Sequence, residues 1–483
     1  MKRAQKTLDV ADWDVQLRRV MDIACRYWSD IGNGPVTPPG GYRELHQLLA
    51  QKLPWESTAV EDLLSEFEEK IIPHCTKIGH PRFLAWLLTS PSPAGTLGAL
   101  LADVVNQVPA MYQSSPAATV LEEVVVQWFA EMFGFPGESG GILTGGGTEA
   151  TQIGLTVARE VHFPGVMKNG MAGLGKIPVI YSSDQVHASV IRAAALLGIG
   201  IDYIKKIPVE QPFRLDLAAL RKQVKEDRKN GLQPFCVVAQ VGTSNTGAVD
   251  SLEYIGEFCR EQQLWLHVDA AYGGAAVLTE AGRKLLAGIE AADSVATDPH
   301  KWFFVPAEAG CVLVRDKKQL WQVFGDGGEW DSEAVTDWMH YGIQCTRAAR
   351  AFKIWFAFRA QGMRSMAEIV EQNMAMAREF QKRLEGASEW EVVAPAVLSA
   401  LCFRRLPAKE ITAAAVDQLQ KNIVKIIADD GKALLNTANV NGALCIRVCF
   451  ANHRTRWEDL DALMDILEAA AEQSLELEFF QTL

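Results

Sequence analysis

Lys301 is set among neighbours that suit a nucleophile. It lies in Asp298-Pro299-His300-Lys301-Trp302-Phe303-Phe304, between an imidazole and three aromatic rings. A lysine shielded from water sheds its proton more readily, and the neutral amine is the form that attacks a carbonyl. A snorkelling surface lysine would read the same way if this segment stood alone.

A second segment, Trp265-Leu266-His267-Val268-Asp269-Ala270-Ala271-Tyr272-Gly273-Gly274, ends an apolar run on an aspartate. In open α/β sheets ligands bind outside the carboxyl ends of the strands, so Asp269 is expected in a crevice. A carboxylate there can pair with a protonated ring nitrogen, or it can simply cap the next helix. Ala271, two residues on, leaves room for a flat ring against the chain. The run Thr144-Gly145-Gly146-Gly147-Thr148-Glu149-Ala150 puts glycines at the start of a helical pattern, where free N–H groups and the helix dipole suit a phosphate. It also fits G-x-G-x-x-A, so by itself it suits a dinucleotide equally well. His187, in Ser182-Ser183-Asp184-Gln185-Val186-His187, and Thr243, in Gly242-Thr243-Ser244-Asn245, each follow a predicted strand. The first can stack on a ring or relay protons, and the second offers a hydroxyl. Their plain alternatives are a structural histidine and a polar turn.

These segments need a scaffold that brings strand ends together. Pro178–Ser182, Phe235–Val241, Trp265–Val268, Ser294–Thr297 and Gly310–Val314 read as strands, several of them apolar throughout, as strands covered on both faces are. Helical patterns alternate with them, which predicts an α/β domain with a mainly parallel sheet. Before it, helical spacing from Ala11 to Trp28 and again from Tyr42 predicts an N-terminal arm. After it, helices over Ser365–Leu384 and Ile411–Ala428 and strands over Val397–Arg404 and Leu444–Phe450 predict a smaller α+β domain. Thr455 and Glu458 have capping-box spacing for a closing helix.

The 483 residues carry 47 basic and 59 acidic side chains, a net charge of −12, which argues against a nucleic-acid or anionic-membrane surface. No run approaches the ~20 apolar residues of a membrane span, and the first residues lack the apolar core of a secretory leader. Nine cysteines stand singly from Cys25 to Cys449, without a C-x-x-C pair. A disulfide framework or a thiolate metal site is not expected, and the cytoplasm fits best.

The combination of H-x-D-A-A-Y-G with P-H-K-W resembles the group II pyridoxal-phosphate decarboxylases, the family of aromatic-L-amino-acid, tryptophan and glutamate decarboxylases. The resemblance runs from about Tyr27 to the C-terminus and includes His80-Pro81-Arg82-Phe83, Ser115-Pro116-Ala117-Ala118-Thr119 with Leu121-Glu122, and Leu313-Val314-Arg315-Asp316. It implies an aspartate aminotransferase-like large domain (PLP fold type I) over 81–362, a helical arm over 1–80 and a small C-terminal domain over 363–483. It also implies a homodimer with shared active sites, pyridoxal 5′-phosphate as cofactor and a small amino acid as substrate.

By motif, Lys301 would bind the cofactor covalently, His187 would stack on its ring and Asp269 would hold the ring nitrogen. Ala271 would pack beneath the ring, and Thr243 would hydrogen-bond the cofactor or Asp269. Gly147 and Thr148, with groups near His300, would hold the phosphate. Trp86, Leu87, Leu88 and Thr89 match the family's substrate segment, while Arg447 matches an arginine holding a substrate carboxylate, with a surface strand arginine as the open alternative.

The implied reaction is decarboxylation of an L-amino acid, aromatic preferred, with an acidic one as alternative. The chain departs from the aromatic branch in one respect. It has no tyrosine between Tyr272 and Tyr341, where those enzymes carry a loop tyrosine that protonates the product carbon. Trp330 or Phe324 takes that place, depending on the direction of counting. Family members with phenylalanine there react with oxygen to give an aldehyde, which is the second reading. An NAD-dependent oxidoreductase built on Gly145–Ala150 is a third, and it leaves Asp269 and Lys301 unexplained.

Overall fold

The computed structural model describes residues 12–331, 335–407 and 412–481, with side chains to residue 476. The chain divides into two compact units. One comprises Met1–Phe83, Ile423–Leu434 and Arg454–Leu483, and the other Leu84–Asn422 and Leu435–His453.

The first unit contains the helices α1 (Trp13–Asp30) and α2 (Tyr42–Leu49). Ala11, the expected start of α1, lies outside the described residues. Arg19 and Arg26 both pair with Glu68, at 2.8 and 2.6 Å, and tie α1 to the following helical segment. The closing helix runs Trp457–Gln481. Its start differs from the expected capping box: Thr455 donates instead to the Pro81 carbonyl, at 2.7 Å, and Asp459 accepts the Arg456 N–H, at 2.9 Å. The carboxylate that caps the helix is therefore one residue later than the spacing suggested.

The second unit is built on a seven-stranded sheet of β1 (Gly140–Thr144), β2 (Pro178–Ser183), β3 (Ile204–Ile207), β4 (Gln233–Gln240), β5 (Trp265–Asp269), β6 (Ser294–Thr297) and β7 (Gly310–Val314). Their order is β1-β7-β6-β5-β4-β2-β3. The neighbours from β6 to β3 run parallel, and β7 is antiparallel to both of its neighbours. Every residue of β1, β2, β5, β6 and β7 is buried, because helices cover both faces. This is the expected mainly parallel α/β architecture.

Among the covering helices are α3 (Pro93–Val105), α4 (Pro116–Met132), α5 (Gly147–His162), α6 (Ala188–Leu196), α7 (Ala351–Gln361) and α8 (Met363–Glu385). Helices α3 and α7 meet closely at Gly98, where a Cβ would stand 2.8 Å from the Cβ of Phe356. Glu122 of α4 and Arg347 form a two-pronged ion pair, 2.6 Å on each prong, with both side chains out of water. Glu122 also accepts the Leu143 N–H at 3.0 Å, so the pair fixes the end of β1 that leads into the glycine turn.

The same unit holds a four-stranded antiparallel sheet of β8 (Trp390–Ala394), β9 (Ala400–Arg405), β10 (Asn436–Val440) and β11 (Ala443–Cys449), in the order β8-β9-β11-β10. The helix expected from Ile411 runs Ala413–Asp430, Ile411 itself lying outside the described residues. Among the described residues no helix is long and apolar enough to cross a membrane.

Candidate active site

The carboxyl ends of β1, β2, β4, β5 and β6 open on one cavity of about 520 Å³. Parallel strands place their following loops on the same edge of the sheet, so segments far apart in sequence converge there. Lys301, His187, Asp269, Ala271, Gly147, Thr148, His300 and Leu87 all line it.

Lys301 sits in the turn after β6, and its Nζ is 3.0 Å from Oδ2 of Asp298. Thr89 Oγ1 donates to the Lys301 carbonyl at 2.6 Å, bracing the main chain from outside the cavity. Asp298 is only 3% exposed, and its Oδ1 has no hydrogen-bond partner among the described residues. His300 is held through Nδ1 by the main chain of Ala309, which leaves its Nε2 3.9 Å from Asp298.

Asp269 ends β5, 7% exposed, and accepts the Ala271 N–H at 3.2 Å. Behind it, burial pushes the His267 imidazole down to about 4, against the smaller opposing pull of Asp269. His267 Nδ1 is 2.8 Å from Ser294 Oγ, which also accepts from Trp265 Nε1 at 2.8 Å.

His187 is the N-cap of α6, and its Nδ1 accepts the Ser189 N–H at 3.2 Å. A main-chain N–H can only donate, so Nδ1 serves it as acceptor and Nε2 is the ring nitrogen left free of that bond.

The turn from Thr144 to Gly147 leads into α5 without a side-chain cap. A Cβ at Gly147 would stand 3.0 Å from Asp298 Oδ2 and 3.2 Å from Ala271 Cβ, so only glycine leaves this space open. Glu149 folds back to accept the Gly145 N–H at 2.8 Å and stiffens the turn. An uncapped helix start with open backbone around it is a cradle for a phosphate. Together with an amine, a carboxylate and a slot above Ala271, it fits pyridoxal 5′-phosphate in each part.

Five of the residues singled out by motif are not among those lining this cavity, Leu88, an exposed side chain, being one of them. Thr243 spends its hydroxyl within its own turn, 2.7 Å from Thr246 Oγ1 and accepting from Ala248 N at 3.1 Å, and Gly242 and Ser244 line the cavity instead. Trp86 is half exposed, and its N–H donates to Asn436 at 3.3 Å. Thr89 acts on the Lys301 main chain as described. Arg447, on β11, is 4% exposed, with Nε and Nη2 lacking hydrogen-bond partners among the described residues.

Sequence reasoning gave no part to Asp298, although it opens the lysine motif, nor to Gln152, Ser189 and Gln240, which also line the cavity. Nor did it find the pair of Glu308, at the cavity, with Arg350, 2.7 Å apart across 42 residues of chain.

A family model, the pyridoxal-dependent decarboxylase conserved domain, matches residues 42–406. The chain belongs to the pyridoxal-dependent decarboxylase family. This decarboxylase takes pyridoxal 5′-phosphate as its cofactor. It is similar to an aromatic-L-amino-acid decarboxylase of Bacillus atrophaeus, 32% identical over 461 residues, covering 94% of each chain. It is also similar to the 4-hydroxyphenylacetaldehyde synthase of Rhodiola rosea, 29% identical over 475 residues and 96% of each. Among solved structures, Catharanthus roseus tryptophan decarboxylase in complex with L-tryptophan superposes with a TM-score of 0.89 at 27% identity, covering 97% of the decarboxylase and 100% of that chain. The aspartate aminotransferase-like fold and the group II family expected from the motifs are thus the ones found.

Proposed function

We propose that the decarboxylase removes the α-carboxylate of an aromatic L-amino acid, with Lys301 as the cofactor's covalent anchor and Asp269 as the partner of its ring nitrogen. The observation that carries this reading is that Lys301 and Asp269, 32 residues apart, line one cavity that the uncapped start of α5 also lines. Bound there, pyridoxal 5′-phosphate supplies an electron sink for the pair of electrons that carbon dioxide leaves behind.

The chain's own groups supply the rest. The Asp269 carboxylate keeps the ring nitrogen protonated, which a neutral partner would not do. His187 stacks on the ring, with Nε2 free to hold a proton. Gly147, Thr148 and His300 take the phosphate end, and Ala271 leaves the thickness of a flat ring. Thr243 shapes the turn that presents Gly242 and Ser244. Leu87 contributes an apolar wall, with Trp86 and Thr89 on the same segment. To Arg447, which lies beyond the cavity lining but keeps a buried guanidinium with Nε and Nη2 unpartnered among the described residues, we assign the substrate carboxylate. The aromatic preference rests on the names of relatives such as the Bacillus atrophaeus enzyme.

We assign the decarboxylase to homodimers. Leu97, Leu101, Val104 and Val105 stand at i, i+4, i+7 and i+8 on α3 and are 41–60% exposed, an apolar stripe that a second copy would cover. The nine cysteines carry free thiols, which suits the cytoplasm.

A second reading is favoured by the missing loop tyrosine. Phe324 closes the helix Lys317–Phe324 and packs against the core, and neither it nor Trp330 can donate a proton to carbon. With no proton donor at that place, the product would be an aldehyde formed with uptake of oxygen; the name of the Rhodiola rosea relative describes an aldehyde product for that enzyme.

One experiment separates the two. The purified protein is incubated with each of the twenty amino acids, and products are read by mass while an electrode follows oxygen. Amine without oxygen uptake supports decarboxylation alone. Aldehyde with matching oxygen uptake, peroxide and ammonia supports the second reading, and no release of carbon dioxide from any amino acid would refute both.

A further inference from the structure

A second cavity, of about 660 Å³, opens on the larger unit where the C-terminal ends of α4 and α7 meet the start of α8. It shares no lining residue with the catalytic cavity. Its apolar lining includes Trp128, Met132, Leu278, Phe358 and Met363, with the rings of Trp128 and Phe358 stacked 6.3 Å apart. Its charged lining is Arg283, Arg359 and Arg364 against the single carboxylate of Glu131.

These arginines differ from others on the same acidic chain. Arg19, Arg26, Arg82, Arg221 and Arg404 each pair with a carboxylate, as 59 acidic against 47 basic residues readily allow. Among the described residues, none of the three at this cavity pairs with one, Glu131 included. Two of them are nonetheless held in place. Arg283 donates through Nη1 to the Val277 and Leu278 carbonyls, at 3.2 Å each, and keeps Nε and Nη2 for another acceptor. Arg359 lies over the Trp355 ring, 4.9 Å from its centre, a contact that uses the face of the guanidinium and not its N–H groups. Both stand in the last turn of their helices, where the dipole favours a cation. Arg364 has no such account: it stands in the first turn of α8, where the dipole disfavours a cation, and its side chain has no partner among the described residues.

We propose that this cavity binds an aliphatic carboxylic acid as its anion, with the tail on the apolar lining and the carboxylate among the three guanidiniums. An apolar hollow alone would take any hydrophobic molecule, and a group of cations alone would take any anion. Together they select a molecule that has both a tail and a head. Two methionines and a leucine adapt to a flexible chain, and a guanidinium offers a carboxylate two parallel N–H donors. Glu131 beside the arginines favours a singly charged head over a phosphate. The volume lies within the range of roughly 300–1,000 Å³ typical of small-molecule pockets. Because the two cavities have no residue in common, the acid binds while the cofactor is in place.

The test is calorimetric titration of decanoate, below its micelle concentration, into the full-length protein loaded with pyridoxal 5′-phosphate. One decanoate should bind per chain. Decanol, the same tail without the charge, should bind at least about tenfold more weakly, and Arg364→Glu should weaken decanoate by a similar factor, because hydrogen bonds to a charged group contribute that much. Arg364 is exposed and outside the catalytic cavity, so the variant should keep wild-type turnover. Absence of binding, equal affinity for decanol, or unchanged affinity in Arg364→Glu would overturn the proposal.

A decanoate carrying a photoreactive diazirine on its tail locates the site without any variant. The label should fall on peptides containing residues 128–132 or 358–367, and a label on the catalytic cavity instead would equally overturn the assignment.

Discussion

His187 Nδ1 accepts the N–H of Ser189 at 3.2 Å, so one imidazole both caps α6 and faces the cavity. The two roles are separable by substitution. His187→Asn keeps an oxygen able to accept the same N–H, whereas His187→Ala loses the cap at about 1 kcal/mol. Asn should therefore unfold at the wild-type midpoint while losing most turnover and shifting the cofactor's absorbance, and Ala should lose both stability and turnover. A fully active Asn variant would leave the ring no part in catalysis.

The buried pair of Glu122 and Arg347 predicts a large single-site cost. Arg347→Met leaves the Glu122 carboxylate out of water with only the Leu143 N–H to hold it. Urea unfolding should show a loss of about 3–5 kcal/mol, because an uncompensated buried charge costs more than the pair contributes. The double change Glu122→Gln with Arg347→Met should recover part of that loss. Independent, additive effects would show that the two side chains do not act as a pair.

Acid should weaken the fold through His267. Burial holds this imidazole down to about 4, whereas in the unfolded chain it titrates near about 6.5. Between those values the unfolded chain binds a proton that the native site refuses. Stability should therefore fall as pH drops below about 6.5 and stop falling from this source near about 4, a total of roughly 3 kcal/mol. His267→Asn, which keeps an acceptor for Ser294, should flatten that part of the profile. Urea midpoints measured across the range decide it, and an unchanged slope in the variant would assign the acid sensitivity to other groups.

What could be read before folding, and what could not, follows the layering of the sheets. Strands flanked on both sides, such as Trp265–Asp269 and Ser294–Thr297, are buried end to end, and their apolar centres stand out in the sequence. The strands that pattern alone does not announce are the outermost ones. Gly140–Thr144 and Ile204–Ile207 edge the large sheet, and Trp390–Ala394 and Asn436–Val440 edge the small one. Ile204-Lys205-Lys206-Ile207 carries two lysines that blunt an exposed edge, and Asn436-Thr437-Ala438-Asn439-Val440 is largely polar, so neither looks like a core strand.

The site divides in a similar way. Residues within motifs at strand ends could be named, because the parallel sheet fixes where those ends meet. A turn has no period, so sequence could not tell whether Thr243 or Ser244 reaches the cavity. Pairs that form only in space, such as Glu308 with Arg350 or Asp298 Oδ2 with Lys301 Nζ, needed coordinates.

The central claim is that Lys301 anchors the cofactor. Borohydride reduction of the purified protein fixes pyridoxal phosphate to whichever lysine holds it, and peptide mass analysis then locates the label. The account predicts one phosphopyridoxyl group per chain, on Lys301, with no label and no turnover in Lys301→Ala. A label on another lysine, or undiminished turnover in that variant, would contradict it.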